Sequence, residues 1–247
     1  MKIRILFLVM GLLLGAYVGG FMTSQNISTM YSYCVQTQPI SDNSTIISAA
    51  SIAMPAVDQD GKGVTTTLDV QIVPGSGKTL TNVDKLFFWT DTQNSIRTAK
   101  SVAQQMTQKD MEGYDFVYTI NANATSIEGP SAGAALTVAT IAAIENKQLN
   151  TSVMITGTIN PDGTIGQVGG ITEKASAAKE IGAVLFLVPR EQSSETVYNP
   201  KEYCRKVGIS QICSLRQMPQ TINVSETAGI EVREVATVGD ALSYLLI

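Results

Sequence analysis

The sequence predicts an α/β fold of mixed sheets with flanking helices, preceded by one apolar N-terminal segment. Runs with strand-like alternation are interleaved with helical runs. Turn-forming clusters separate them, and 247 residues suffice for one substantial core plus appendages. Hydrophobic residues make up 44% of the chain and charged residues 15%, as in a folded protein with a modestly charged surface. A formal charge of −4 without any cluster of Lys and Arg argues against a nucleic-acid partner. With no histidine and 3 cysteines the usual zinc ligand sets cannot be assembled, so neither a metal nor a cofactor is expected.

Taken in order, Lys2 and Arg4 precede an apolar run over residues 5–22. As a helix this run would be roughly 27 Å long, close to the hydrocarbon thickness of a bilayer. No further basic residue occurs until Lys62, which places the N-terminus in the cytoplasm and the remainder outside. A cleaved signal peptide and a retained transmembrane anchor both fit residues 1–22; the length of the run and the lack of an A-x-A site favour the anchor. Gly11, Gly15 and Gly19 lie on one face of that helix, either for close helix packing or because glycine is common in such segments. Residues 23–45 are polar and aperiodic, a linker. Glycosylation sequons begin at Asn26, Asn43, Asn123, Asn150 and Asn223.

The domain proper spans residues 46–247. Residues 46–54 and 64–73 are β-rich and flank a turn cluster at 58–63, which predicts a hairpin. Pro74-Gly75-Ser76-Gly77-Lys78-Thr79 resembles a phosphate loop, but Ile72 stands where the P-loop requires its first glycine; it is expected to be a strand-end turn, with no nucleotide bound. Apolar residues at Ile96, Ala99, Val102, Ala103 and Met106 predict a helix over 90–106, and a strand over 114–120 follows. Residues 153–159 form another strand, which turns at 160–163 into a strand over 164–168. A buried strand at 184–188 ends at Pro189. Residues 190–228 are expected to form an irregular insertion holding Cys204 and Cys213, which pair if the domain lies in an oxidising compartment and otherwise remain two buried thiols. Cys34 is left over.

The chemistry centres on Glu128-Gly129-Pro130-Ser131-Ala132-Gly133 and the small apolar run that follows it. Pro130 suits a helix start, so Ser131 falls in the first turn, beside amides that have no partner within the helix and can stabilise an oxyanion. The stretch also fits the G-x-S-x-G nucleophile elbow, but that arrangement needs a histidine base and the chain has none. The best alternative base is in Gly169-Gly170-Ile171-Thr172-Glu173-Lys174-Ala175, where a second helix begins and carries Lys174.

Together with Ile155-Thr156-Gly157, these motifs resemble, in order and spacing, the proteolytic domain of the Lon protease family. The resemblance runs from about residue 46 to the C-terminus and implies the fold of that domain, closed by a strand at 230–235 and a helix at 238–246. It implies Ser131 as nucleophile, Lys174 as general base, and Thr156 as the threonine that helps hold the lysine. Glu128, Gly129 and Ala132 are supporting residues of the first motif. In some relatives the residue before the serine is an acid; here it is Pro130, so no role of such an acid carries over. The family also carries a V-P-G-x-G-K turn without a nucleotide role, and it assembles as rings, which implies a homo-oligomer.

A serine hydroxyl needs its proton removed, and a lysine can do so only when neutral. At an unperturbed pKa about one lysine in a few thousand is neutral at pH 7, so burial among Ile171, Ala175, Ala177 and Ala178 must lower it. Taken singly, Lys174 would be a solvated helix lysine, as Lys179 is expected to be, and Ser131 a helix cap. Only the ordered set points to catalysis. The sequence shows no ATPase module or nucleotide motif, so the expected activity is ATP-independent serine endopeptidase cleavage of flexible or unfolded polypeptide outside the cytoplasm, with the enzyme held to the membrane by its N-terminal helix. Two other readings are a catalytically idle polypeptide-binding module and a signal-peptidase-like processing protease.

Overall fold

Strands β1 (Ser48–Val57) and β2 (Gly63–Pro74) form an antiparallel hairpin whose register runs from Ser48↔Ile72 to Val57↔Gly63. Its turn is held by the Asp58 carboxylate, which accepts the amides of Asp60 and Lys62. Along β2, Thr66, Leu68, Val70 and Ile72 are buried while the residues between them are not, the alternation a half-covered strand requires. These are features of a computed structural model that describes residues 45–82, 90–122 and 129–247. The chain divides into Met1–Ser44 and Thr45–Ile247. The first unit, with the expected anchor, linker and Cys34, lies outside the described residues, as does Glu128.

β2 also pairs antiparallel with β4 (Tyr114–Ala122), and β4 pairs in parallel with β3 (Thr79–Thr81), giving the order β1-β2-β4-β3. The glycine-rich turn between β2 and β3 directs the amides of Ser76 and Lys78 at the Asp115 carboxylate, both at 2.8 Å. Amides that resembled a phosphate cradle thus hold one of the protein's own carboxylates.

Helix α1 (Thr90–Thr107) buries Ile96, Ala99, Val102 and Ala103 of the expected stripe against the core, while Met106, in its last turn, is exposed. Helix α2 (Gly133–Glu145) follows a 3-10 turn, Pro130–Ala132, and is buried from Gly133 to Ile144. This mostly apolar helix has no solvent face, the hydroxyls of its buried Thr137 and Thr140 bonding the carbonyls of Gly133 and Leu136, and α2 is the central element of the main core. A three-stranded parallel sheet is ordered β11 (Glu231–Val235), β8 (Leu185–Pro189), β5 (Val153–Ile155), with β5 and β8 covered on both faces and β11 an exposed edge. Val153, Ile155, Leu187 and Val235 join the core around α2. Met154, Phe186 and Val188 pack instead with Ile171, Ala175 and Ala178 of helix α3 (Ile171–Glu180) and Val224 of helix α4 (Val224–Ala228). Helix α5 (Val238–Leu245) closes the chain behind a capping box between Thr237 and Asp240.

Two expectations are corrected. The strand expected over residues 153–159 is interrupted: β5 ends at Ile155 and a separate strand, β6 (Thr158–Ile159), pairs with β7 (Ile165–Gly166). The break is at Gly157, whose φ of 152° lies outside what other residues adopt readily, and a Cβ there would lie 2.3 Å from Ile165. The insertion expected to be irregular is regular. β9 (Ser194–Val207) and β10 (Ser210–Asn223) pair over their full length as a two-stranded ribbon. Both faces of most of the ribbon meet solvent, so burial imposes no alternation on its sequence. Cys204 and Cys213 stand directly opposite in this ribbon and are disulfide-bonded. Among the described residues no helix is long and apolar enough to cross a membrane.

Candidate active site

The first helical turn behind β4 is set by Gly129 and Pro130. Gly129 has φ 99° and ψ 163°, a conformation almost confined to glycine, and Pro130 opens the 3-10 turn. Ser131 is thereby presented half-buried at the start of α2. The turn's backbone bonding has the Gly133 amide donating to Pro130, so the Ser131 amide belongs to the set a helix start leaves without an internal acceptor. The Ser131 carbonyl is gripped from behind by the Gly157 amide at 3.0 Å and the Thr156 hydroxyl at 3.3 Å. Gly157 returns the contact by accepting the Ala134 amide at 2.9 Å. The strand break at Gly157 therefore joins the β5 end to the start of the serine helix.

Lys174 lies one turn into α3 and is 4% exposed, whereas Lys179, further along the same helix, is exposed and donates to the Gly229 carbonyl. The Lys174 amine donates to the Gly169 carbonyl at 2.9 Å. Burial pulls its pKa from 10.5 down to about 8, against the opposing charges of Glu173 and Glu195. At that value about one lysine in ten is neutral at pH 7.

Ser131, Gly129 and Lys174 line one open cleft of about 510 Å³ with Val57, Pro130, Thr158, Gln167, Val168, Gly169 and Gly170. Two of the other expected residues stand back from it. Thr156 is buried behind the serine, and its hydroxyl bonds the Ser131 backbone; the Lys174 amine has its bond to Gly169 instead. Ala132 packs on the main core. The structure therefore gives Thr156 the serine turn to hold in place of the lysine.

Two residues had not been singled out from the sequence. Gln192, just after β8, pairs its side-chain amide with both backbone groups of Val168, donating at 2.6 Å and accepting at 2.9 Å. Glu195, near the root of the ribbon, accepts the amide and hydroxyl of Thr172 at 3.2 and 2.6 Å in the first turn of α3. Together they clamp the loop that carries the Gly169 carbonyl and the helix that carries Lys174. No local pattern marks either residue, because both act through contacts with partners over 20 positions away.

Residues 50–224 match the Lon protease (S16) C-terminal proteolytic domain. The chain belongs to the Lon protease family. It is 30% identical over 162 residues to the Lon protease of Buchnera aphidicola, an alignment spanning 63% of this chain and 20% of that protein. It is 27% identical over 188 residues to the Lon protease of Lachnoclostridium phytofermentans, covering 75% of this chain and 20% of the relative. An archaeal Lon protease from Thermoplasma volcanium is 28% identical over 113 residues, 46% of this chain and 17% of that protein. The chain thus spans about a fifth of the length of these relatives, and the shared part is the C-terminal proteolytic domain.

Proposed function

We propose that the protein is an ATP-independent serine endopeptidase in which Ser131 is the nucleophile and Lys174 the general base. The observation that carries this reading is a buried lysine with a pKa near 8 lining the same cleft as a serine at a helix start. The neutral Lys174 amine takes the Ser131 Oγ proton as the oxygen attacks a peptide carbonyl. The resulting ammonium returns that proton to the leaving amine, and water then hydrolyses the acyl-enzyme by the same route in reverse. Amides at the start of α2 stabilise the oxyanion. Thr156 contributes by fixing the Ser131 carbonyl, hence the position of the attacking turn. An open cleft of this size suits an extended, flexible segment of polypeptide.

The reading extends to location. An apolar run at 5–22 with Lys2 and Arg4 before it and no basic residue after it until Lys62, and a disulfide in the domain, support a membrane-anchored enzyme acting outside the cytoplasm. Protease added to intact cells is expected to reach the domain, and complete protection until lysis would reverse the orientation.

The central test is acylation by a fluorophosphonate serine probe. Labelling of the wild-type protein that is lost in both Ser131→Ala and Lys174→Ala supports the dyad. Unlabelled wild-type protein that still binds unfolded polypeptide would mark an idle binding module instead.

A further inference from the structure

The ribbon of β9 and β10 has no role in the cleft beyond its root, yet its far end gathers exposed apolar side chains beside basic ones. Its turn at Gly208 and Ile209 leaves Ile209 fully exposed, at 107% of the reference area. Val207 and Ile212 beside it are 48% and 56% exposed, and Leu215 is 74% exposed. Strand alternation and the paired register put Leu215 on the face of Cys204 and Cys213, while Ile212 and Val207 lie on the opposite face. Apolar side chains therefore project from both faces and from the tip. Leu215 stands opposite Glu202, well behind the tip, so the apolar point itself is Val207, Ile209 and Ile212, too few residues for a stable protein interface and suited to entering a bilayer interface.

The charges are arranged to match. The ribbon carries Lys201, Arg205, Lys206 and Arg216 against Glu195 and Glu202, in a chain whose net charge is −4. No acid occurs between Glu202 and Glu226. Arg205 and Lys206 sit only three or four residues behind Ile209, roughly 10–13 Å along a strand. That spacing puts cations at the depth of lipid phosphates when the tip enters the boundary between headgroups and acyl chains. Further back, Lys201 and Arg216 lie over the Tyr203 ring, 5.9 and 5.6 Å from its centroid, which leaves the strip basic and aromatic. The Cys204–Cys213 disulfide closes the last turn of the ribbon, so the wedge is formed before it meets a surface.

We infer that the tip of this ribbon is a membrane-docking element that inserts Val207, Ile209 and Ile212 into an anionic bilayer, with Arg205 and Lys206 on the lipid phosphates. The contact is independent of the dyad, and its test reads the tip alone.

The test uses the full chain carrying Trp89→Phe and Ile209→Trp, so that the sole indole reports on the tip. It is mixed with vesicles of brominated phosphatidylcholine, with and without phosphatidylglycerol. The expected result is a blue-shifted emission quenched by bromine in the anionic vesicles and weak in the neutral ones. Bromine quenching of the indole at 209 should fall about tenfold or more on raising salt to 0.5 M or on combining Arg205→Glu with Lys206→Glu. In a companion chain carrying Trp89→Phe and Gln220→Trp, the indole near the ribbon root should stay unquenched, which separates tip insertion from anchoring by residues 5–22. An indole at 209 that remains red-shifted and unquenched in anionic vesicles overturns the proposal. So does equal quenching at 209 and 220, or quenching that ignores lipid charge and salt. A blue shift that grows with protein concentration in the absence of lipid overturns it in favour of a second copy of the chain.

Discussion

The cleft around Lys174 and the ribbon of β9 and β10 meet at Glu195, which starts on the ribbon and bonds the lysine helix at Thr172. They are nonetheless held by different forces. The cleft rests on two apolar clusters, and its helix α3 is ordered because Ile171, Ala175 and Ala178 leave water. Beyond its root the ribbon buries almost nothing and is held by strand pairing and one disulfide. Burial therefore does two things in the cleft that it cannot do in the ribbon: it fixes position, and it retunes a charge. Lys174 and Lys179 make the point within one helix, since the buried amine has its pKa drawn to about 8 while the exposed one sits at a helix end on a backbone carbonyl.

The strongest way to break this contrast is to remove the reacting pair. Ser131→Ala and Lys174→Ala are each expected to lower cleavage of an unfolded casein-like substrate by a thousandfold or more, the double variant losing little further. Wild-type activity should be indifferent to ATP and rise with pH through about 8, because the working form of the lysine is the deprotonated one. Stability follows the same group. A folded pKa below the unfolded value means the unfolded chain binds more proton between about pH 8 and 10.5, so stability should climb with pH across that window. Lys174→Met should abolish this climb and make the protein about 1–3 kcal/mol more stable at pH 7. Denaturant melts at pH 7 and 10 measure both effects, and a variant that keeps the wild-type pH slope would assign the slope to another group.

Thr156→Val sharpens the comparison next. It keeps the buried shape and deletes the hydroxyl on the Ser131 carbonyl, for a loss of about ten- to a thousandfold in kcat. Because the bond goes to the serine turn, the pH midpoint should stay where it is in wild type. A shifted midpoint would return Thr156 to the lysine.

A smaller effect is expected at the junction of the two regions. The Glu195 carboxylate opposes the lowering of the Lys174 pKa, so Glu195→Gln should move the activity midpoint to lower pH while its amide keeps a bond to Thr172. Reduced activity with an unmoved midpoint would leave Glu195 a purely mechanical clamp. The least effect on catalysis belongs to Cys204→Ser with Cys213→Ser. Activity should remain within about twofold of wild type, while amide exchange at the ribbon tip rises by about tenfold or more, since local opening there no longer meets a covalent closure. Loss of activity on reduction alone would mean that ribbon and cleft are coupled beyond Glu195.

What the sequence determined by itself was whatever burial writes into a pattern. The alternation of Leu68, Val70 and Ile72, the stripe of α1, the mostly apolar α2 and the small residues around Lys174 each reflect a face that must leave water, and the spaced serine and lysine motifs carry the family. The tertiary structure decided what depends on partners distant in the chain. It turned Thr156 to the serine carbonyl by breaking the strand at Gly157, and it brought Gln192 and Glu195 onto the lysine loop. It also ordered residues 194–223 as a ribbon where no periodicity announced strands. The physical reason is the same in each case. Hydrophobic burial acts on every residue of a face and leaves a repeat, whereas a single hydrogen bond or a strand wet on both sides constrains too few positions to leave one.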